Sequence, residues 1–257
     1  MGILQELKER QMNELEKFLR EKKENIKKQY LKRNLGYEFI KETADTKYTY
    51  NFSWLGRPII QVPQDIVAIQ ELIWKTKPDL IIETGIAHGG SLIFSASMLT
   101  LLEACEEIQN GKVLGIDIDI RDHNKKLIQD HPMMKKITMI EGSSVSKKIF
   151  EQVKNFADES KNIMVILDSN HTHDHVLNEL EMYGSLVTKD NYCIVMDTVV
   201  EEMSKGSFLD RPWDVGNNPK TAIKTYLESH SEFKIDENIQ NKLLITSSPD
   251  GYLKKIK

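Results

Sequence analysis

The sequence predicts an α/β protein built on a Rossmann-like, seven-stranded, mostly parallel sheet with an antiparallel edge, preceded by an N-terminal helical extension. Three observations carry that prediction. From residue 80 onward, short runs that are apolar on both faces alternate with segments of helical length. Each run is followed by polar residues or glycine, as expected at the ends of buried parallel strands. The last two runs lie close together with no helical crossover, which suits an antiparallel pair.

The elements follow in order. Leu4, Leu7, Leu15, Phe18, Ile26 and Tyr30 recur near helical spacing among Lys and Glu at pairing distance, which predicts an amphipathic helix over residues 4–31. Its polar face mixes both signs. It therefore suits the protein body or a sister subunit better than a membrane surface, and a homo-oligomer is expected. Tyr48 to Pro58 is a connection punctuated by Gly and Pro, and Gln64 to Lys75 is a helix ended by Lys77-Pro78. The expected division is an extension over 1–47 and one domain over 48–257. Strands are predicted at 80–82, 113–116, 137–140, 163–167 and 192–196, separated by helices over 91–108, 122–130, 145–157 and 174–187. A helix over 219–228 then precedes an edge pair at 233–235 and 243–246.

Composition removes several function classes. The formal net charge is −4 over 257 residues, with basic side chains interleaved among acidic ones, so no nucleic-acid partner is expected. The two cysteines, Cys105 and Cys193, make neither a disulfide framework nor a thiolate zinc site. Charges come too early for a secretory signal, and there is no apolar run of about 18 residues for an integral membrane segment. A cytoplasmic location is expected.

In an open α/β sheet, ligands bind beyond the carboxyl ends of the strands. After the first strand stands Glu83-Thr-Gly-Ile-Ala-His-Gly-Gly-Ser91, a turn whose glycines let backbone approach a ligand before a helix begins. It is neither a Gly-x-Gly-x-x-Gly fingerprint nor a Gly-Lys-Ser/Thr phosphate loop, which disfavours a pyrophosphate ligand. The second strand ends in Gly115-Ile-Asp-Ile-Asp119, where Asp117 is placed to accept ribose hydroxyls. After the fourth strand comes "DSNHTHDHV", with three histidines and two aspartates in nine positions. His171-Thr-His173-Asp174-His175 is one residue short of the His-x-His-x-Asp-His spacing that would surround two zinc ions.

The Glu-x-Gly-x-x-x-Gly pattern, the strand-ending acid and the seven expected strands resemble a class I S-adenosylmethionine-dependent methyltransferase. More narrowly, "WLGRPIIQVPQDI", "KPDLIIETGIAHGGS", "GIDIDIR", "EGSS" and "LDSNHTHDHV" resemble the cephalosporin hydroxylase/rhamnosyl O-methyltransferase family over roughly residues 50–253. That resemblance implies S-adenosylmethionine and Mg²⁺ as cofactors and a sugar or other small molecule as acceptor. It places Glu83, Gly85, Gly89 and Ser91 at the methionine end of the cofactor, Asp117 at the ribose and Ser143 or Ser144 near the adenine; Gly90 also belongs to the cofactor site, and His88 either touches the cofactor or occupies the turn. Asp168 and Asp197 match the metal-binding strand ends, with Asp168 also beside the cofactor, and His171 matches the general base. The fifth strand ends Met196-Asp197-Thr198 where relatives carry paired acid or amide residues, so Asn170, Thr198 or water is left as third ligand.

The chemistry agrees with these roles, because a sugar hydroxyl needs a hard cation and a proton acceptor to become a nucleophile. Trp213, in the loop Asp210 to Pro219, either stacks on the acceptor or plugs the body, and His173 either touches the acceptor or caps a helix. Glu201 and Glu202 either support Asp197 or sit in solvent. Two rival readings are an oxidative hydroxylase acting on a β-lactam-like molecule and a non-catalytic cofactor-binding subunit.

Overall fold

The computed structural model describes residues 2–257, with side chains from residue 12 onward. Leu4 and Leu7 lie outside the described side chains. The N-terminal segment is not one helix but two, α1 (Gly2–Gln29) and α2 (Arg33–Thr43), joined by a 3-10 turn at Tyr30–Lys32. Met12, Leu15, Phe18 and Leu19 on α1 are each more than half exposed. Helix α2 instead rests on the body, with Gly36 buried against the backbone carbonyl of Leu244. The expected connection at 48–58 holds a hairpin, β1 (Phe52–Trp54) and β2 (Arg57–Ile59). Its turn residues Leu55 and Gly56 take φ of 44° and 84°, the positive values that a two-residue hairpin loop uses.

Helix α3 (Pro63–Thr76) leads into the alternating region: β3 (Leu80–Thr84), α4 (Gly90–Ala104), β4 (Lys112–Asp117), α5 (Asp122–Gln129), β5 (Ile137–Glu141), α6 (Lys147–Ala157), β6 (Ile163–Leu167), α7 (His173–Tyr183) and β7 (Tyr192–Val195). The tail adds α8 (Pro219–Leu227), β8 (Phe233–Ile235), α9 (Glu237–Leu243) and β9 (Tyr252–Lys255). The main sheet runs β5-β4-β3-β6-β7-β9-β8, parallel except where β9 pairs antiparallel with both β7 and β8. Alternate residues of each central strand enter opposite layers. Ile81, Met164, Ile166 and Ile194 pack under α3 and α4, while Leu80, Ile82, Val165, Leu167 and Val195 pack under α6, α7 and α8. Burial on both faces explains why these strands read as continuous apolar runs.

The edge pair is real, but its second member is not 243–246. Asp236 accepts a hydrogen bond from the Asn238 amide and starts α9, which brings Ile239 and Leu243 onto one side at i, i+4 spacing. The partner strand is Tyr252–Lys255, where Tyr252 and Leu253 are buried and two lysines disguise the run. Among the described residues no helix is long and apolar enough to cross a membrane.

Candidate active site

The strand order reverses beside β3: β4 lies on one side and β6 on the other, which opens a crevice at their carboxyl ends. Thr84 pairs with Leu167, and Leu167 with Val195. The register therefore sets Gly85 beside Asp168 and brings Asp197 just past the neighbouring strand end. Gly85 has φ of 90°, and a Cβ there would collide with the backbone carbonyl of Asp168. Only glycine lets the two loops meet this closely.

Glu83 is fully buried, and Ser91 donates a hydrogen bond to its Oε1. Its Oε2 has no partner among the described residues, and burial pushes the carboxyl up to about 8 although the Ser91 bond pulls the other way. A buried acceptor without a donor fits the charged amino group of a bound ligand. Asp117, the expected ribose acceptor, also holds backbone in place. Its Oδ2 accepts from the amides of Ile86 (2.7 Å) and Ala87 (3.3 Å), and its Oδ1 from Asp119 (3.1 Å), so it stitches the glycine turn to β4. A carboxylate has about four lone-pair sites, so one remains for a hydroxyl. Ser144 is buried with its Oγ 3.0 Å from His175 Nε2, and its carbonyl accepts from the Tyr183 hydroxyl at 2.8 Å, while Ser143 is half-buried beside it.

Sequence reasoning missed Arg57 and Asn124. Arg57 is buried and donates from Nε (2.9 Å) and Nη2 (2.5 Å) to the carbonyl of His88, and from Nη2 to Asn124 Oδ1 at 3.1 Å. Asn124 Nδ2 in turn donates to the Ala87 carbonyl at 3.0 Å, and His88 Nδ1 lies 3.4 Å from Asn124 Oδ1. These two side chains fix the conformation of the turn from outside it. Arg57 lies within the quoted "WLGRPIIQVPQDI", but nothing in its spacing reveals that contact.

The acids and one histidine converge. His171 Nε2 is 3.2 Å from Asp197 Oδ2, and one ligand atom each from Asp168, His171 and Asp197 fall within 4.8 Å of one another. Burial raises the Asp168 carboxyl well above its ordinary range, and the negative charges of Asp197, Glu83 and Glu179 raise it further. Hard oxygen donors crowded together with unbalanced negative charge suit a divalent cation. The two side chains expected as third ligands are engaged elsewhere. Asn170 Oδ1 accepts from the amide and hydroxyl of Thr172 (2.9 and 2.8 Å), and Thr198 Oγ1 donates to the Pro249 carbonyl at 2.6 Å. The three histidines of "DSNHTHDHV" enter three networks: His173 Nδ1 lies 2.8 Å from Thr221 Oγ1, and His175 meets Ser144, Ser169 and Glu179. Glu201 binds the Gly216 amide and the Asn218 side chain, and Glu202 pairs with Lys220, so both tie down the following loop.

A cleft of about 510 Å³ opens over the cluster, lined by Asp168, His171, Asp197 and Trp213 together with Tyr48, Tyr50 and Phe208. Trp213 meets the His171 ring edge-on at 4.7 Å between centroids. It is thus a wall of the cleft, whereas His173 sits at the α7–α8 junction and does not line it.

The model of the family described as Rhamnosyl O-methyltransferase/CmcI matches residues 46–256. The chain belongs to the rhamnosyl O-methyltransferase/CmcI family. Relatives include the rhamnosyl O-methyltransferase of Mycobacterium leprae, 29% identical over 203 residues that cover 78% of this chain and 82% of the relative. That of Mycobacterium tuberculosis is 28% identical over 212 residues, covering 81% and 78%. Among solved structures, CmcI in its apo form aligns with TM-score 0.58 and 19% identity over 81% of this chain and 77% of its own. CmcI with Mg and SAM gives 0.56, 19%, 81% and 78%. At such identities the likeness is one of fold, and the rhamnosyl O-methyltransferase/CmcI fold matches the sheet and antiparallel edge described above.

The buried Glu83 gives this family member a testable pH dependence. Its folded pKa of about 8 lies above the ordinary value of 4.5, so its contribution to stability is full below pH 4.5 and is lost as pH rises toward 8. Within that window the loss approaches about 1.4 kcal/mol per pH unit. Glu83→Gln should remove this slope, making the ligand-free variant gain on wild type between pH 5 and pH 8 in urea titrations. A stability difference that is the same at both pH values contradicts the buried-carboxyl reading.

Proposed function

We propose that this chain is an S-adenosylmethionine-dependent, Mg²⁺-assisted O-methyltransferase acting on a sugar hydroxyl of a glycan or glycosylated metabolite. The observation that carries the reading is the Asp168, His171 and Asp197 cluster lining a cleft, with Asp168 packed directly on the glycine turn at Gly85, in a chain of this family. Rhamnosyl O-methyltransferases among its relatives support the sugar acceptor. CmcI in complex with Mg and SAM supports the cofactor pair.

Asp168 and Asp197 would hold the divalent ion, whose charge lowers the pKa of a nearby hydroxyl. S-adenosylmethionine would supply a methyl group on a sulfonium; the acceptor oxygen bonds to that carbon in line as the carbon–sulfur bond breaks, and S-adenosylhomocysteine leaves as a neutral thioether. His171 is the proton acceptor: its Nε2–H faces Asp197 Oδ2 at 3.2 Å, so the hydroxyl proton would go to the other ring nitrogen, and Asp197 stabilises the imidazolium that results. Trp213 packs edge-on against the imidazole, which limits its rotation and closes one side of the cleft to water. Glu83 and Ser91 receive the methionine end, Asp117 the ribose and Ser143 or Ser144 the adenine. A β-lactam oxidase would want two histidines and one carboxylate on iron. The cluster has the reverse ratio, since His173 and His175 are bonded elsewhere.

Calorimetric titration with S-adenosylmethionine and S-adenosylhomocysteine is the direct test, with binding of both expected. Failure of both to bind defeats the proposal. The division at residues 47 and 48 is kept within this reading, with the cleft drawing on both sides of it through Ile40, Tyr48 and Tyr50. The two unpaired cysteines suit a reducing cytoplasm. We also propose a homo-oligomer formed through the exposed apolar residues of α1. Light scattering should find Leu15→Glu/Phe18→Glu reduced to a monomer, and an unchanged mass would reject that interface.

A further inference from the structure

We infer that Gln61 binds the α-amino-acid end of the methyl donor and is a positioning residue for the transfer; this rests on the methyltransferase reading. Gln61 follows β2, is only 4% exposed, and its Oε1 is sealed from solvent with no hydrogen-bond partner among the described residues. Leaving a buried amide oxygen unbonded is costly, so such an atom is retained where something outside the chain satisfies it. Its place says what that is. Gln61 lines a recess of about 40 Å³ with Gly85, His88, Gly90, Ser91 and Asp168. It also lines the larger cleft beside Asp168 and His171, so it stands where the two spaces meet.

Ser91, on the same recess, is bonded to Glu83, whose Oε2 is also buried and unpartnered. Gln61 lines the recess and Glu83 stands behind it, across Ser91. An unsatisfied acceptor on the recess, backed by a carboxyl that a neighbouring cation would ionise, calls for a cation with several N–H donors. A primary ammonium has three, and the α-amino group of S-adenosylmethionine is the ammonium this reaction brings. With Gln61 fixing the amino-acid end and Glu83 answering its charge, the donor would be anchored where the recess meets the cleft that holds Asp168 and His171.

The experiment combines a change in the residue with truncation of the ligand. S-adenosylhomocysteine carries the amino-acid end, and 5′-methylthioadenosine lacks it. Titrations should find Gln61→Leu binding S-adenosylhomocysteine about tenfold more weakly, with 5′-methylthioadenosine held within about twofold of wild type. Ligand-free Gln61→Leu should melt at the same temperature or higher, because an unsatisfied polar group has been removed. A packing role for Gln61 predicts the opposite on both counts. Gln61→Met, closer in shape, gives the same readings should the leucine variant fail to fold. Equal weakening of the two ligands, or unchanged affinity for S-adenosylhomocysteine, overturns the assignment while leaving the methyltransferase reading intact. Wild-type protein that binds neither S-adenosylmethionine nor S-adenosylhomocysteine overturns both.

Discussion

Asp168→Asn should lower methyl transfer by about 10²- to 10³-fold while S-adenosylmethionine still binds, the range typical of losing one charged group that stabilises a reacting centre. Asparagine keeps the shape of the side chain and one oxygen, so packing against Gly85 is preserved; what disappears is the negative charge. That charge is held at a site where burial and the carboxylates of Asp197, Glu83 and Glu179 all oppose it. Such an arrangement destabilises the ligand-free protein, and it persists at functional sites because the bound state gains from it. The variant should therefore be at least as resistant to urea as wild type without added metal, and should lose the stabilisation that Mg²⁺ confers on wild type. Single-turnover assays with a sugar acceptor, run beside Mg²⁺-dependent melting curves, read both effects. Turnover equal to wild type would remove Asp168 from the mechanism.

How far the sequence revealed this arrangement depends on where the determining contact lies. The strands at residues 80–84 and 163–167 were legible because both faces are buried, which leaves an uninterrupted apolar run. Tyr252–Lys255 was not, since its two lysines break the run and its pairing partners β7 and β8 are distant in the chain. Leu243-Leu-Ile-Thr246 has strand-like composition, yet a cap at Asp236 claims its first residue for a helix and Leu244 turns into φ of 62°. Local capping overrode composition.

The site divides in the same way. Asp168, Asp197 and the glycine turn could be found because strand ends are where an α/β sheet exposes chemistry. Arg57 and Asn124 act by reaching across from other elements, and one sequence carries no mark of such contacts. His171, His173 and His175 could not be told apart by composition. Their destinations differ because α7 begins at His173, which turns each side chain toward a different neighbour.

Gly85→Ala is expected to give the largest loss of stability of any single methyl addition near the site, about 3 kcal/mol or more. Two costs combine. At φ of 90° an L side chain is strained, a penalty of roughly 1–2 kcal/mol. The new Cβ would also overlap the backbone carbonyl of Asp168, and backbone cannot rotate away as a side chain can, so a further 1–3 kcal/mol follows from overpacking. Gly56→Ala is the matched control: its φ is 84°, but a Cβ there meets nothing within 4 Å, so it should show only the conformational cost. For a chain of this size each kcal/mol lowers the melting temperature by roughly 2–4 °C, so the two variants should separate by several degrees. The overlap is relieved only by pushing the 168 loop away from the turn, which shifts Asp168 relative to His171 and Asp197. Gly85→Ala should consequently lose turnover beyond what its unfolding explains when assayed well below its melting point, and Gly56→Ala should not. Equal melting temperatures for the two variants would show that the glycine turn and the 168 loop do not depend on their close approach.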